Sequence, residues 1–388
     1  MRFRPQGSGS LIACLGLVTV FMTLPAAALD SDVPTPGAEA TLLFTGDVLP
    51  HTPVTRSAAR YGRASGTTHD FAPIFSEVAP AIAAVDWAVC HLEVAIGVPG
   101  VVSSPFPLIA APAAVALGLA AAGFDACSTA SNHSLDFGVV GVHSTIAALD
   151  HVGLAHTGTA MDSGTVNGIL YVVDGLVVGH ASYSYGFNGF SVPGEQPWLA
   201  NVIDPNRILI DAARLRRVGA EFVVVSLHWG AEYNSSPIAF QTELAERLAS
   251  SDDIDLIVGH HAHVVQPLLW ISGKPVAFGL GNFLSNQTDA KTQDGVMLMV
   301  RVVENDGIWA LDEMVAVPTW VDRRNGHMIR SASGSSLPVL SASAGRTADT
   351  LGVMGATLQV LSVDQARSWA LAPEIAARLS SICARGGC

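Results

Sequence analysis

Six short apolar runs, each closing on Asp, Glu, Asn or His, constrain this chain more than any other feature. They cover 40–45, 87–92, 124–128, 222–227, 256–258 and 275–280. Runs of this length, rich in Val, Leu and Phe, read as strands buried on both faces. Between them, apolar periodicity predicts helices over 72–84, 112–122, 138–151, 206–218 and 237–250. Such alternation specifies an α/β layered architecture with a substantial parallel component. Two stretches break it: 169–184 and 296–317 carry strand-like runs with no helix between, and predict hairpins added to the sheet. With 388 residues, 49% of them hydrophobic, the chain can bury a large core. Beyond about residue 323 it turns rich in Ser, Gly and Ala, and only 368–383 predicts a helix.

The chemistry lies just beyond each run. Gly46-Asp47 follows the first, His91-Leu92-Glu93 closes the second, and Asn132-His133 with Asp136 follows the third. His228-Trp229-Gly230 with Glu232 follows the fourth, His260-His261-Ala262-His263 the fifth, and Gly281-Asn282-Phe283 the sixth. In a parallel sheet the carboxyl ends of the strands share one edge, and ligands bind in the crevice outside it. These distant segments are therefore expected to converge. Carboxylate, amide carbonyl and imidazole together suit a divalent ion such as Zn, Mn or Fe, whereas an all-oxygen calcium cage has no need of imidazole. Residues two apart in an extended segment point the same way. On that rule His261 and His263 face one metal pair and His260 points opposite, in a structural or supporting place.

The ordered motifs Gly46-Asp47, Leu92-Glu93, Asn132-His133-Ser134-Leu135-Asp136-Phe137-Gly138, His228-Trp229-Gly230-Ala231-Glu232-Tyr233, Gly259-His260-His261-Ala262-His263 and Gly281-Asn282-Phe283 resemble the CapA family. That family is associated with capsule and poly-γ-glutamate synthesis and belongs to the wider calcineurin-like metallophosphatase fold. The resemblance, which spans roughly residues 40–290, implies a four-layer α/β sandwich with mixed sheets; by composition a Pro- and Asp-containing leader at 29–39 precedes the 40–322 domain and a partly helical extension over 323–388 follows it. The resemblance also implies one or two divalent ions. Glu93, Asn132, His228 and His261 would hold one position, and Asp47, Glu93 and His263 a second, sparser one. His133 resembles the catalytic imidazole, with Asp136 orienting its ring. His91, Glu232, His260 and Asn282 fall around the ligands or against substrate. Two departures stand out: Asp47-Val48-Leu49 lacks the histidine of the usual Asp-x-His, and His91 stands where Asn is usual before Leu-Glu. His51 is a candidate to compensate for the first.

Two functions are implied by the resemblance. One is a metal-dependent hydrolase of a phosphoester or a γ-glutamyl amide. The other is a non-catalytic accessory that holds an extracellular polymer such as poly-γ-glutamate, with an envelope synthase complex as a partner. Arg2 and Arg4, the apolar run 11–24 and Pro25-Ala26-Ala27-Ala28 have the layout of a signal peptide over 1–28, which predicts a secreted, periplasmic or envelope protein. Losing those two arginines from the 20 basic residues leaves 18 against 33 acidic ones, a balance of −15 that argues against nucleic acid. No later apolar run is long enough for a transmembrane anchor. Of the cysteines outside the signal, Cys383 and Cys388 bracket a flexible spacer suited to a small disulfide. Cys90 and Cys127, each inside an apolar run, read as buried free thiols in preference to a bridge. Tyr183, Tyr185, Phe187, Phe190 and Trp198 read as an aromatic loop packed over the sheet in preference to a substrate border.

Overall fold

The computed structural model describes residues 38–164, 168–352 and 358–371. The expected signal over 1–28, nearly all of the leader, Cys383, Cys388 and the 372–383 part of the expected last helix lie outside these residues.

Alternation along the strands builds the layers. In the strand Glu39–Val48, Leu42 and Phe44 point one way and Leu43 the other. Leu42, Phe44 and Trp87 pack against Val178, Val224, Leu256 and Val258 of the second sheet, forming the central layer of core. Leu43 and Leu92 pack outward against Ile74, Phe75, Ile82 and Leu119 of the helical segments 72–82 and Ala114–Ala122. On the other side Val223, Val225 and Ile257 pack against Ile208, Leu215, Leu244 and Leu248 of helices Pro205–Arg217 and Ala239–Ala249. The result is the helix–sheet–sheet–helix sandwich, and each large side chain fully withdrawn from water in it contributes roughly 1.5–3 kcal/mol.

Both sheets are mixed. In the first, Glu39–Val48, Trp87–Leu92, Ala126–Ser128 and Ala155–Thr157 run parallel, and Asp294–Asn305 joins Glu39–Val48 antiparallel. In the second, Leu176–Ser184, Phe222–His228, Leu256–His260 and Lys274–Ala277 are parallel, with an antiparallel strand at each edge. The two expected hairpins are present: Ile169–Val173 turns into Leu176–Ser184, and Asp294–Asn305 into Ile308–Asp322. Each turns on an Asp-Gly pair with positive φ at both residues. Residues Met328–Ser331 and Leu358–Val360 add to the same sheet as this second hairpin.

Three local expectations change. The helix over 72–84 divides into Ala72–Phe75 and Ala79–Ile82, because Pro80 has no amide hydrogen and its ring would meet a preceding carbonyl in a continuous helix. A helix at Thr52–Ser65, begun by Pro53 and ended by Gly66 at φ 78°, was not expected. It buries Val54, Thr55, Ser57, Ala58 and Gly62 on one face and exposes Arg56, Arg60 and Arg63 on the other, but the buried face is made mostly of small or hydroxyl side chains. Finally, Cys90 and Cys127 form a disulfide. They are register partners on adjacent parallel strands, an adjacency that two apolar runs read separately do not reveal.

Candidate metal centre

The parallel strands of both sheets end at one edge, and that edge assembles the polar residues. Asp47 lies in register with His91 on one side and Asn282 on the other. Gly46 precedes it because a Cβ there would fall 2.1 Å from the carbonyl oxygen of Gly281. Glu93, just past its strand, donates its amide to the Val48 carbonyl at 3.2 Å. The Asn132-His133 turn is tied to it by Ser131, whose hydroxyl donates to the Glu93 carbonyl and accepts the His133 amide. From the second sheet come His228 and His260, paired on adjacent parallel strands. Gly259 is again obligatory, since a Cβ would sit 2.0 Å from the Phe278 carbonyl oxygen.

His260 does not turn away as expected. The strand ends there, and His261 and His263 adopt positive φ of 87° and 56°. The backbone is no longer extended, so side chains two apart stop sharing a face and the parity argument fails. The His260 ring stacks on His91 at 3.9 Å with 12° between the planes, and its Nδ1 lies 3.6 Å from Asp47 Oδ1.

His263 Nδ1 lies 3.1 Å from both Asp47 Oδ2 and Asn282 Oδ1, and its Nε2 lies 3.6 Å from Glu93 Oε1. His228 Nε2 is 2.9 Å from Asn132 Oδ1, while its Nδ1 is 2.9 Å from His91 Nε2. His261 stands 4.6 Å from His228, ring to ring. Asp47, Glu93 and His263 bring donor atoms within 4.8 Å of one another, as do Glu232, His261 and His263, and Asp47, His91 and His260. Glu232 is exposed at the rim and Asn282 is buried beneath His263.

Charge follows burial. Burial raises the Asp47 carboxyl, but His260 and His263 overcome it and hold the group well below the usual carboxylate range. Burial, aided by Asp47, pushes Glu93 up to about 7. Burial opposes charge on His263, yet Glu93 and Asp47 outweigh it and lift the imidazole to about 9. His261 is lowered to about 4 by burial and then by His263, and His228 lies well below its ordinary value through burial, His261 and His91. These two imidazoles are therefore neutral near pH 7, the form that ligates a metal.

The donor set fits a divalent ion. Both Glu93 oxygens, His261 Nδ1 and both nitrogens of His260 are buried and have no hydrogen-bond partner among the described residues. Buried polar atoms without partners are uncommon and costly. Here five belong to carboxylate and imidazole groups around one point.

Beside this cluster, His133 Nδ1 lies 2.6 Å from Asp136 Oδ2, which also accepts the Ile109 amide at 2.7 Å. Burial works against charge on His133, but the Asp136 hydrogen bond and Glu93 raise its pKa above the usual value. His51, considered as a compensating ligand, accepts the Asn286 amide at Nδ1.

Sequence reasoning underrated the aromatic loop. Tyr183 and Phe187 are buried, but Tyr185 is 43% exposed with its ring 4.7 Å from that of His261. Asn188, at φ 48°, accepts from Asn132 Nδ2 and approaches His133 Nδ1 at 3.4 Å. Tyr233, at φ 65°, stands 6.0 Å from the His263 ring. Tyr233 directly follows Glu232 in sequence, a signal that Tyr185 and Asn188 lacked.

Residues 41–287 match the family model of the bacterial capsule synthesis protein PGA_cap, a span that contains every residue of this centre. The chain belongs to that family. It is 30% identical to the capsule biosynthesis protein CapA of Bacillus anthracis over 189 residues, 47% of this chain and 46% of that protein. To the PGA biosynthesis protein CapA of Bacillus subtilis it is 29% identical over 185 residues, 47% of this chain and 48% of the relative. The chain thus spans about half the length of the curated relatives it matches. Among solved structures, the calcineurin-like phosphoesterase YfkN of Bacillus subtilis is 14% identical with a TM-score of 0.41, covering 80% of this chain and 97% of that one.

Proposed function

We propose that this chain is a metal-dependent hydrolase serving capsule or poly-γ-glutamate synthesis, and that it cleaves a phosphoester or a γ-glutamyl amide. One observation carries the reading: buried carboxylate and imidazole atoms without partners surround a point beside the His133–Asp136 pair. Glu93, Asn132, His228 and His261 would hold one ion, and Asp47, Glu93 and His263 take part in a second position. Zn, Mn or Fe bound there would lower the pKa of a water toward neutrality and polarise a phosphoryl or carbonyl oxygen.

The rest is the work of this chain's side chains. Asp136 accepts the Nδ1 proton of His133 and fixes the ring. That leaves Nε2–H to protonate a leaving group, and the raised pKa keeps the proton available near neutrality. Asn282 accepts from His263 Nδ1, directing Nε2 toward Glu93. Tyr185 and Tyr233 border the approach.

The Cys90–Cys127 bridge supports an oxidising compartment, in keeping with export through a signal at 1–28. Among the described residues no helix is long and apolar enough to cross a membrane. The test is to strip the protein of metal, reload it with Zn, Mn or Fe, and assay an activated phosphodiester and poly-γ-glutamate, with His133→Asn in parallel. Turnover that falls about 100-fold or more in the variant at unchanged metal content supports the assignment. Metal-loaded protein with no turnover on either substrate defeats it and leaves the role of an accessory that holds the polymer.

A further inference from the structure

The imidazoles around Asp47 and Glu93 besides His263 are not equally free at their ring nitrogens. His91 uses both: Nδ1 lies 2.8 Å from Ser128 Oγ and Nε2 2.9 Å from His228 Nδ1. With His228 Nε2 turned to Asn132 Oδ1 as a ligand atom, the His228 proton sits on Nδ1 and is donated to His91. His91 therefore braces His228 and has no lone pair to spare. His51 accepts the Asn286 amide at Nδ1, so in its neutral form its proton is on Nε2 and neither nitrogen offers a lone pair. His261 stands with His228 at the other position.

His260 differs from all of these. It is 3% exposed, and neither ring nitrogen has a hydrogen-bond partner among the described residues. Its Nδ1 is 3.6 Å from Asp47 Oδ1, too long for a hydrogen bond. The same 3.6 Å separates His263 Nε2 from Glu93 Oε1. Two donors held at about 2.1 Å by one tetrahedral ion lie about 3.4 Å apart, so both spacings are those of neighbouring ligands. The parallel stack on His91 fixes the His260 ring. It also bars the two rings from sharing an ion, which would have to lie in both ring planes at once.

We propose that His260 is a metal ligand, supplying the Asp47 position with the imidazole that the first strand lacks. His260 joins that position through Asp47: their donor atoms lie within 4.8 Å of each other, as do those of Asp47, Glu93 and His263. Three histidines of one four-residue stretch reach the centre because the positive φ at His261 and His263 folds the backbone around it. This inference rests on the reading of the centre as a metal site.

The experiment counts ions. The full chain is stripped, titrated with Zn(II) by calorimetry, and measured for bound metal after dialysis, beside His260→Phe and His260→Asn. Phenylalanine keeps a ring against His91 and removes the donors, and asparagine guards against a packing failure. Circular dichroism of the stripped proteins verifies folding. The expected result is two ions in the wild type, with one weakened about 100-fold or more in both variants and the other unchanged. Two ions at wild-type affinity in a folded variant overturn the proposal, as does a wild type holding a single ion that the variants bind equally well. A wild type that binds no ion removes the metal reading itself.

Discussion

Lowering the pH should strip the Asp47 position of metal in two steps, and the steps belong to named groups. A metal needs Glu93 ionised and His263 neutral, whereas in the metal-free centre Glu93 titrates at about 7 and His263 at about 9. Above pH 9 neither carries a competing proton. Between pH 9 and 7 His263 is protonated, so binding expels one proton and affinity falls tenfold per unit, about 100-fold or about 2.7 kcal/mol across the interval. Below pH 7 Glu93 is protonated as well, two protons must leave, and the next unit costs about another 100-fold. His261, already neutral above about 4, adds nothing in this range. Calorimetry of the stripped protein in buffers of different ionisation enthalpy counts the protons directly: about one per ion at pH 8 and nearly two at pH 6. An affinity flat between pH 9 and 6, or no proton release at pH 8, refutes the Glu93–His263 pairing as the origin of the site's charge.

Other perturbations separate roles within the edge. Replacing both Cys90 and Cys127 by Ala opens a link across 37 residues and should cost about 4 kcal/mol by the loop-entropy relation, read as a lower denaturant midpoint; an unchanged midpoint refutes a stabilising bridge. Asp136→Asn removes the hydrogen bond that raises His133, so the limb where activity falls with rising pH should move to lower pH with metal content unchanged. A limb that stays in place would detach Asp136 from the acid. Gly259→Ala puts a methyl 2.0 Å from the Phe278 oxygen and should destabilise by about 3 kcal/mol, seen in denaturant melts, and weaken metal binding. Tyr185→Leu takes away the ring against His261 and should weaken metal binding about fivefold by titration, from about 1 kcal/mol of lost aromatic contact.

Much of this centre was legible residue by residue. Asp47, Glu93, Asn132, His228, His261 and His263 all stand at or just beyond strand ends, and short apolar runs disclose strand ends well because a parallel strand is buried on both faces. His133 and Asp136, three apart in one turn, were legible as a pair for the same local reason. The helix at Thr52–Ser65 was overlooked, since its buried face is made mostly of small and hydroxyl side chains in place of large apolar ones. Tyr185 was misjudged because the loop that carries it has no period from which to read direction.

What the sequence determined by itself was the alternating architecture and the inventory of donors, both set by composition within a few residues of each strand end. Which donors meet was decided only by the tertiary structure. Asp47 and His261 are 214 positions apart, yet the His261 amide lies 3.3 Å from an Asp47 oxygen. The Cys90–Cys127 bridge needed the strand order, and the approach of His261 and His263 to the centre that His260 already faces needed positive φ at both. Local pattern gives a side chain's direction only while the backbone is regular, and this centre lies where the strands stop being regular.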